Sequence, residues 1–163
     1  MKESSNAKKS YVGLKKKVHG DFFEALVTFF AQADKLHIIK IPEGCKVTKG
    51  KLVRVKSPFD FMLNLGDITM LFDAKTTIKK TFSYSSINQD QILNLAKMNN
   101  ASNLCGYVIC FDKEVGFADV RLLAKVRQGE SINVEDCIYL GTVKQFSFKN
   151  LSGATSKVEG SRE

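Results

Sequence analysis

The 163-residue chain has no apolar run near the roughly 18 residues that a membrane-spanning helix needs, which argues against a helical membrane protein. Its first residues are basic but lack the apolar stretch of a secretory signal, so a soluble, cytoplasmic protein is the expectation. Cysteine and histidine are scarce and badly spaced for metal binding. Cys45, Cys105, Cys110 and Cys137 form no C-x-x-C pair, and His19 and His37 lie far from them, so a zinc site is not expected. Cys105 and Cys110 sit in LCGYVICF, where they read as small core residues of a reduced protein. No internal repeat is visible.

Acidic residues are outnumbered, 17 against 25 basic ones, for a formal net charge of +8. The cations cluster in the N-terminal MKESSNAKKSYVGLKKK, in KIPEGCKVTKGKLVRVK (residues 40–56), and at Lys75, Lys79 and Lys80. Any single lysine reads as solvated surface. Three clusters with this net charge point to a polyanion such as nucleic acid. A membrane surface is the weaker alternative, because the basic stretches carry no amphipathic helical pattern.

Hydrophobic residues make up 44% of the chain, enough for one globular domain with a sizeable core. The pattern predicts a basic flexible arm over residues 1–18, one domain over 19–149 and a frayed tail over 150–163. DFFEALVTFFAQAD, 21–34, reads as a helix with Phe22, Leu26, Phe29 and Ala33 on one face, widened by Phe23 and Phe30. It is apolar nearly all round, which predicts cover on both sides. Glu24 is a lone carboxylate on a side carrying Val27, Thr28 and Ala31.

LHIIKI reads as a strand ended by Pro42, KLVRV as a short strand within a basic connection, and FDFML and ITMLFDAK as two strands joined through Leu65-Gly66-Asp67. Residues 76–85 read as a polar loop. Ser86 with Gln89 suggests a capping box that opens a helix over 87–99, in which Gln91 faces inward beside Ile92 and Leu95. LCGYVICF has the continuous apolar character of a central strand. VGFADV, a short helix over 119–127 and a strand or turn at CIYLG follow. The order predicts an α/β domain with a mixed central sheet flanked by helices. His19 reads as a linker residue and His37 as a strand-face residue.

Two apolar strands carry charges. Asp73 and Lys75 are two apart and share a face. Asp60, on the neighbouring strand, reaches the same edge if the register allows. Buried charges are costly unless paired or metal-bound, and two carboxylates suit a hard cation such as Mg²⁺ or Mn²⁺. D-x-K alone is common and reads as a surface ion pair. D-(x)12-D-x-K on two apolar strands of a basic chain is more specific.

These residues resemble the PD-(D/E)XK nuclease superfamily, with Pro58, Asp60, Asp73 and Lys75 in the signature positions, and within it the bacterial Holliday-junction resolvases of the RecU type. The likeness runs from Gly20 to Phe111 through GDFFE, HIIKIP, SPFDF, LFDAKTT, KKTF, DQILNL and GYVICF. It implies a restriction-endonuclease-like core and Mg²⁺-dependent phosphodiester hydrolysis, with Mn²⁺ as a possible substitute. Asp60, Asp73 and Glu24 would surround the metal, Lys75 would stabilise charge on the phosphate, and Gln91 would orient water or phosphate. Lys15, Lys16, Lys17, Thr77, Lys79 and Lys80 would contact DNA. The implied partners are a four-way junction and a second copy of the chain, which the doubly apolar first helix suits. Two features depart from the family: Asp90 stands where a histidine is usual, and the connection from Pro42 to Asp60 is shorter than the family's stalk. A related nuclease acting on flaps, forks or single strands, and a non-catalytic DNA-binding protein, are the competing readings. Acids that repel phosphate argue against the second.

Overall fold

The computed structural model describes residues 19–151, with backbone alone at 45 and 46. The expected arm, with Lys15, Lys16 and Lys17, lies outside the described residues, as does the chain beyond 151. Among the described residues no helix is long and apolar enough to cross a membrane.

A seven-stranded mixed sheet forms the centre, in the order β1-β4-β5-β7-β8-β10-β11. Its strands are β1 (Ile38–Lys40), β4 (Phe61–Asn64), β5 (Thr69–Thr77), β7 (Asn103–Phe111), β8 (Glu114–Asp119), β10 (Ile138–Thr142) and β11 (Gln145–Phe146). Only β5 and β7 run parallel. A parallel pair requires a crossover connection, and residues 78–102 supply it with β6 (Thr81–Ser83), a 3-10 turn at Tyr84–Ser86 and helix α2 (Gln89–Met98). The loop expected to be polar over 76–85 is therefore shorter, because β5 continues through Thr77 and β6 pairs with β9 (Ser131–Asn133).

Helix α1, over 19–33, packs on one face of the sheet. It buries Phe23, Val27 and Ala31, with Leu26 and Phe30 partly buried. The face expected from Phe22, Leu26, Phe29 and Ala33 is not the one that docks: Phe22 is 63% and Phe29 61% exposed. An all-apolar helix gives periodicity little to discriminate, and among the described residues one side alone is covered. His19 lies in the helix rather than in a linker. The helix ends in a Schellman arrangement, with Lys35 at φ 59° and Leu36 N–H donating to the Ala31 carbonyl at 3.0 Å. Asp34 then accepts bonds from Ser147 Oγ and Phe148 N, both at 2.9 Å, tying the C-terminal segment to α1. That segment keeps Leu151, the last described residue, fully buried.

Helix α2 and the short α3 (Val120–Lys125) cover the opposite face with Ile92, Leu95, Val120 and Leu123. The cap of α2 is Asn88 rather than Ser86; its side chain accepts the Gln91 N–H at 3.1 Å. Asn caps as well as Ser, and Ser86 is taken up by the preceding 3-10 turn. On β7, Gly106 allows a close approach: a Cβ there would meet the Ala118 carbonyl oxygen at 2.1 Å.

The basic connection forms a separate two-stranded ribbon, β2 (Gly44–Thr48) with β3 (Lys51–Val55). Lys49 and Gly50, at φ 51° and 72°, make the two-residue turn that type I′ geometry demands. Every residue of β3 is exposed, including Leu52 and Val53.

Candidate active site

Period-two alternation places Asp73 and Lys75 on the α2 face of β5. Asp73 is the one buried charged side chain among the described residues, at 3% exposure. Burying a carboxylate is costly unless donors surround it, and three do. Oδ1 accepts the Asp60 backbone N–H at 2.9 Å; Oδ2 accepts Gln91 Nε2 at 2.7 Å and pairs with Lys75 Nζ at 2.9 Å. A carboxylate has about four lone-pair directions, so one remains free, on Oδ1.

The donors come from separate elements. The Asp60 N–H lies just before β4, where it also approaches the Phe72 carbonyl at 3.2 Å. Gln91 projects from the first turn of α2, and its Nε2 also reaches the Pro58 carbonyl at 3.3 Å. Tyr107 faces Asp73 across the parallel β5–β7 pair; its hydroxyl donates to Gln91 Oε1 at 2.6 Å. Lys75 Nζ stands 5.2 Å from the centre of the Tyr107 ring, within cation–π range.

Asp60 occupies the edge between this network and α1. Burial, the charges of Asp73 and then of Glu24 push its carboxyl up to about 6, against smaller opposing contributions from Lys75 and Lys40. Glu24 reaches the same rim from α1 and is ion-paired with Lys40 of β1. That hydrogen bond is the main cause of an upward shift on Lys40, to which Asp60 and Asp21 add. Asp21, Glu24, Ala25, Thr28, Lys40 and Phe61 line a groove beside the acids.

Among the described residues no three His, Cys, Asp or Glu side chains stand together in a metal-binding cluster. The donor set nevertheless suits Mg²⁺, which takes one or two carboxylates and keeps most of its shell for water and phosphate. Asp73 offers one free lone-pair direction, and a cation would relieve the repulsion that raises Asp60.

A family model described as recombination protein U matches residues 27–152, well over half of the chain. The chain belongs to the recombination protein U family. Membership makes it a Holliday-junction resolvase, a structure-specific endonuclease. A search of curated proteins gives no match. Among solved structures, Hjc, a Holliday junction resolvase from the archaeal hyperthermophile Archaeoglobus fulgidus, is similar with a TM-score of 0.55 at 13% identity, over 75% of this chain and 95% of that one. At that identity the likeness establishes the fold: a mixed sheet with flanking helices, as the sequence suggests.

Of the residues singled out in the recombination protein U resemblance, Asp60, Asp73, Lys75 and Gln91 converge. Glu24 reaches the rim but is engaged by Lys40. Thr77 follows Lys75 on the same face of β5, and its Oγ1 contacts the Thr81 carbonyl at 3.3 Å and accepts the Lys79 N–H at 3.2 Å. Lys79 and Lys80 are exposed just beyond. Sequence reasoning missed Tyr107 and Lys40. Tyr107 has a polar tip in the otherwise apolar GYVICF, which is a usable signal; Lys40 was hidden among the lysines of its basic cluster.

Proposed function

We propose that this resolvase hydrolyses phosphodiester bonds with a divalent cation, Mg²⁺ or in its place Mn²⁺, held by Asp60 and Asp73. The observation that carries the reading is the buried Asp73 carboxylate, fixed by three donors yet keeping one oxygen direction open beside a second acid. When bound, the cation polarises the phosphate and lowers the pKa of a bound water. Lys75, neutralised by Asp73 at rest and about one-third exposed at its side chain, supplies positive charge to the phosphate oxygens. Gln91 holds Asp73 in its rotamer. Glu24 completes the acidic surroundings, and Lys40 balances its charge. Thr77, Lys79 and Lys80 hold the DNA backbone where β5 leaves the sheet, and Lys15, Lys16 and Lys17 contribute further positive charge for DNA.

The enzyme acts as a homodimer that cuts two strands of the junction symmetrically. Phe22 and Phe29, left exposed on α1, supply apolar area for the second copy, and Phe29→Asp should yield a folded monomer by sedimentation. The central assay is purified protein on labelled four-way junction, flap and duplex DNA, with Mg²⁺ and with chelator. Paired nicks in the junction, abolished by chelator, are expected. Equal cleavage of flaps would move the substrate to other branched DNA, in keeping with the short β2–β3 ribbon. Cleavage in chelator would remove the cation from the mechanism.

A further inference from the structure

We propose that Tyr107 is a positioning residue for the cation site: acting through the Gln91 amide, it keeps Asp73 Oδ2 engaged by protein so that Oδ1 is the oxygen offered outward. The inference rests on the reading of Asp73 as a cation-binding residue. It adds a residue from a third element, β7, that touches neither cation nor phosphate.

The hydroxyl is the anomaly that needs explaining. Tyr107 is completely buried, and a phenylalanine would fill the same space without a polar group to satisfy. The hydroxyl has one side-chain partner, Gln91 Oε1 at 2.6 Å. Burial, opposed by a backbone hydrogen bond with Asn88 and aided by the charge of Asp73, pushes the phenol up to about 12, so the group remains a proton donor. A donor at Oε1 leaves the amide nitrogen to face the other way, where two acceptors wait: Asp73 Oδ2 at 2.7 Å and the Pro58 carbonyl at 3.3 Å. Both ends of the amide are therefore fixed, and the rotamer of Asp73 with them. The ring adds a second hold, because Lys75 Nζ, the other ligand of Oδ2, stands over it. The β5–β7 register sets Asp73 opposite Tyr107 on paired strands. Without the hydroxyl, Oε1 of the half-buried Gln91 loses its donor and the side chain gains reason to turn toward solvent. Asp73 Oδ2 is then freed, and the carboxylate can swing.

The test is a cycle of Tyr107→Phe, Gln91→Ala and the double variant in the full chain. Mn²⁺ affinity is read by calorimetry without DNA, and folding by thermal melts. Tyr107→Phe keeps the ring and should weaken Mn²⁺ binding by about 10–100-fold, as loss of a support for a ligand does. The double variant should be no weaker than Gln91→Ala alone, since the hydroxyl then has nothing to hold. An unchanged Mn²⁺ affinity in Tyr107→Phe, with or without a lower melting temperature, would return Tyr107 to ordinary core packing and overturn the proposal. Additive losses would also overturn it, by showing a route that bypasses Gln91. Wild-type protein that neither binds Mn²⁺ nor cleaves with it would instead remove the cation reading itself, a distinguishable failure that takes this proposal with it.

Discussion

On β5, Phe72 and Asp73 are neighbours in sequence and point to opposite faces of the sheet. Phe72 stacks on Phe61 at 5.3 Å between ring centres and leans on Phe148 at 5.9 Å; Phe146, Phe23 and Phe30 continue the aromatic layer under α1. Asp73 enters a layer in which Gln91, Lys75 and Tyr107 share its contacts. The α1 face is apolar, and its aromatic pairs add to area burial. The α2 face carries a polar cluster whose members hold one another in place. One face anchors the strand so that the other can carry a geometry that packing alone would not favour.

The largest effects should separate these faces. Phe72→Ala should cost about 3–5 kcal/mol of stability, seen in denaturant unfolding. Asp73→Asn should change stability by about 1 kcal/mol yet reduce cleavage by about 10³-fold or more, since several kcal/mol of cation-dependent stabilisation are lost. Junction binding should hold or tighten as a repulsive charge goes. Wild-type cleavage by Asp73→Asn, or a Phe72→Ala protein as stable as wild type, would break the division.

Glu24 lies where the faces meet. Glu24→Gln should raise the Mg²⁺ midpoint for cleavage by about 10–100-fold if its charge supports the site, with the melting temperature little changed. An unmoved midpoint assigns Glu24 to its ion pair with Lys40 alone.

The acid at the rim also makes stability depend on pH. Asp60 at about 6 lies above its ordinary 3.8, so the folded chain holds this proton more tightly than the unfolded chain. Its contribution is full below the unfolded value and is lost as pH rises through about 6. Metal-free protein should therefore lose melting temperature between those limits, Asp60→Asn should flatten that slope, and Mg²⁺ should restore stability at the upper end. Identical slopes for wild type and Asp60→Asn would show that the rim is not strained by charge.

The smallest effect lies away from both faces. Lys79→Ala with Lys80→Ala should reduce the log–log salt slope of junction binding by about 0.9 per lost phosphate contact, leaving stability unchanged. An unaltered slope would place the DNA elsewhere.

The strands and the site were legible to different depths. ITMLFDAK and LCGYVICF declare themselves by apolar runs, and alternation alone puts Asp73 beside Lys75. What alternation cannot reveal is which strands are neighbours. In the sequence Tyr107 is therefore indistinguishable from an ordinary core aromatic; the β5–β7 register sets it opposite Asp73. The docking side of α1 is not legible in the sequence because Phe22, Phe23, Phe29 and Phe30 give it apolar residues on every side; only the sheet beneath selects Phe23 and its companions. Likewise KLVRV was readable as a strand, while its partner, GCKVT, is weakly patterned and is fixed by the turn at Lys49-Gly50.

The parallel pairing has a consequence for how the chain comes to be a nuclease at all. Thr69 faces Asn103 and Thr77 faces Phe111, a constant offset of 34 positions. Such distant pairing is slow to find because the intervening loop must close before any contact rewards it. Asp60 and Asp73 can meet early through the β4–β5 hairpin, but Gln91 and Tyr107 join them only after the crossover has folded back. During synthesis a ribosome must therefore have released the chain past Phe111 before the cluster is complete, and a truncated product ending in α2 would carry both acids without the support that holds them ready.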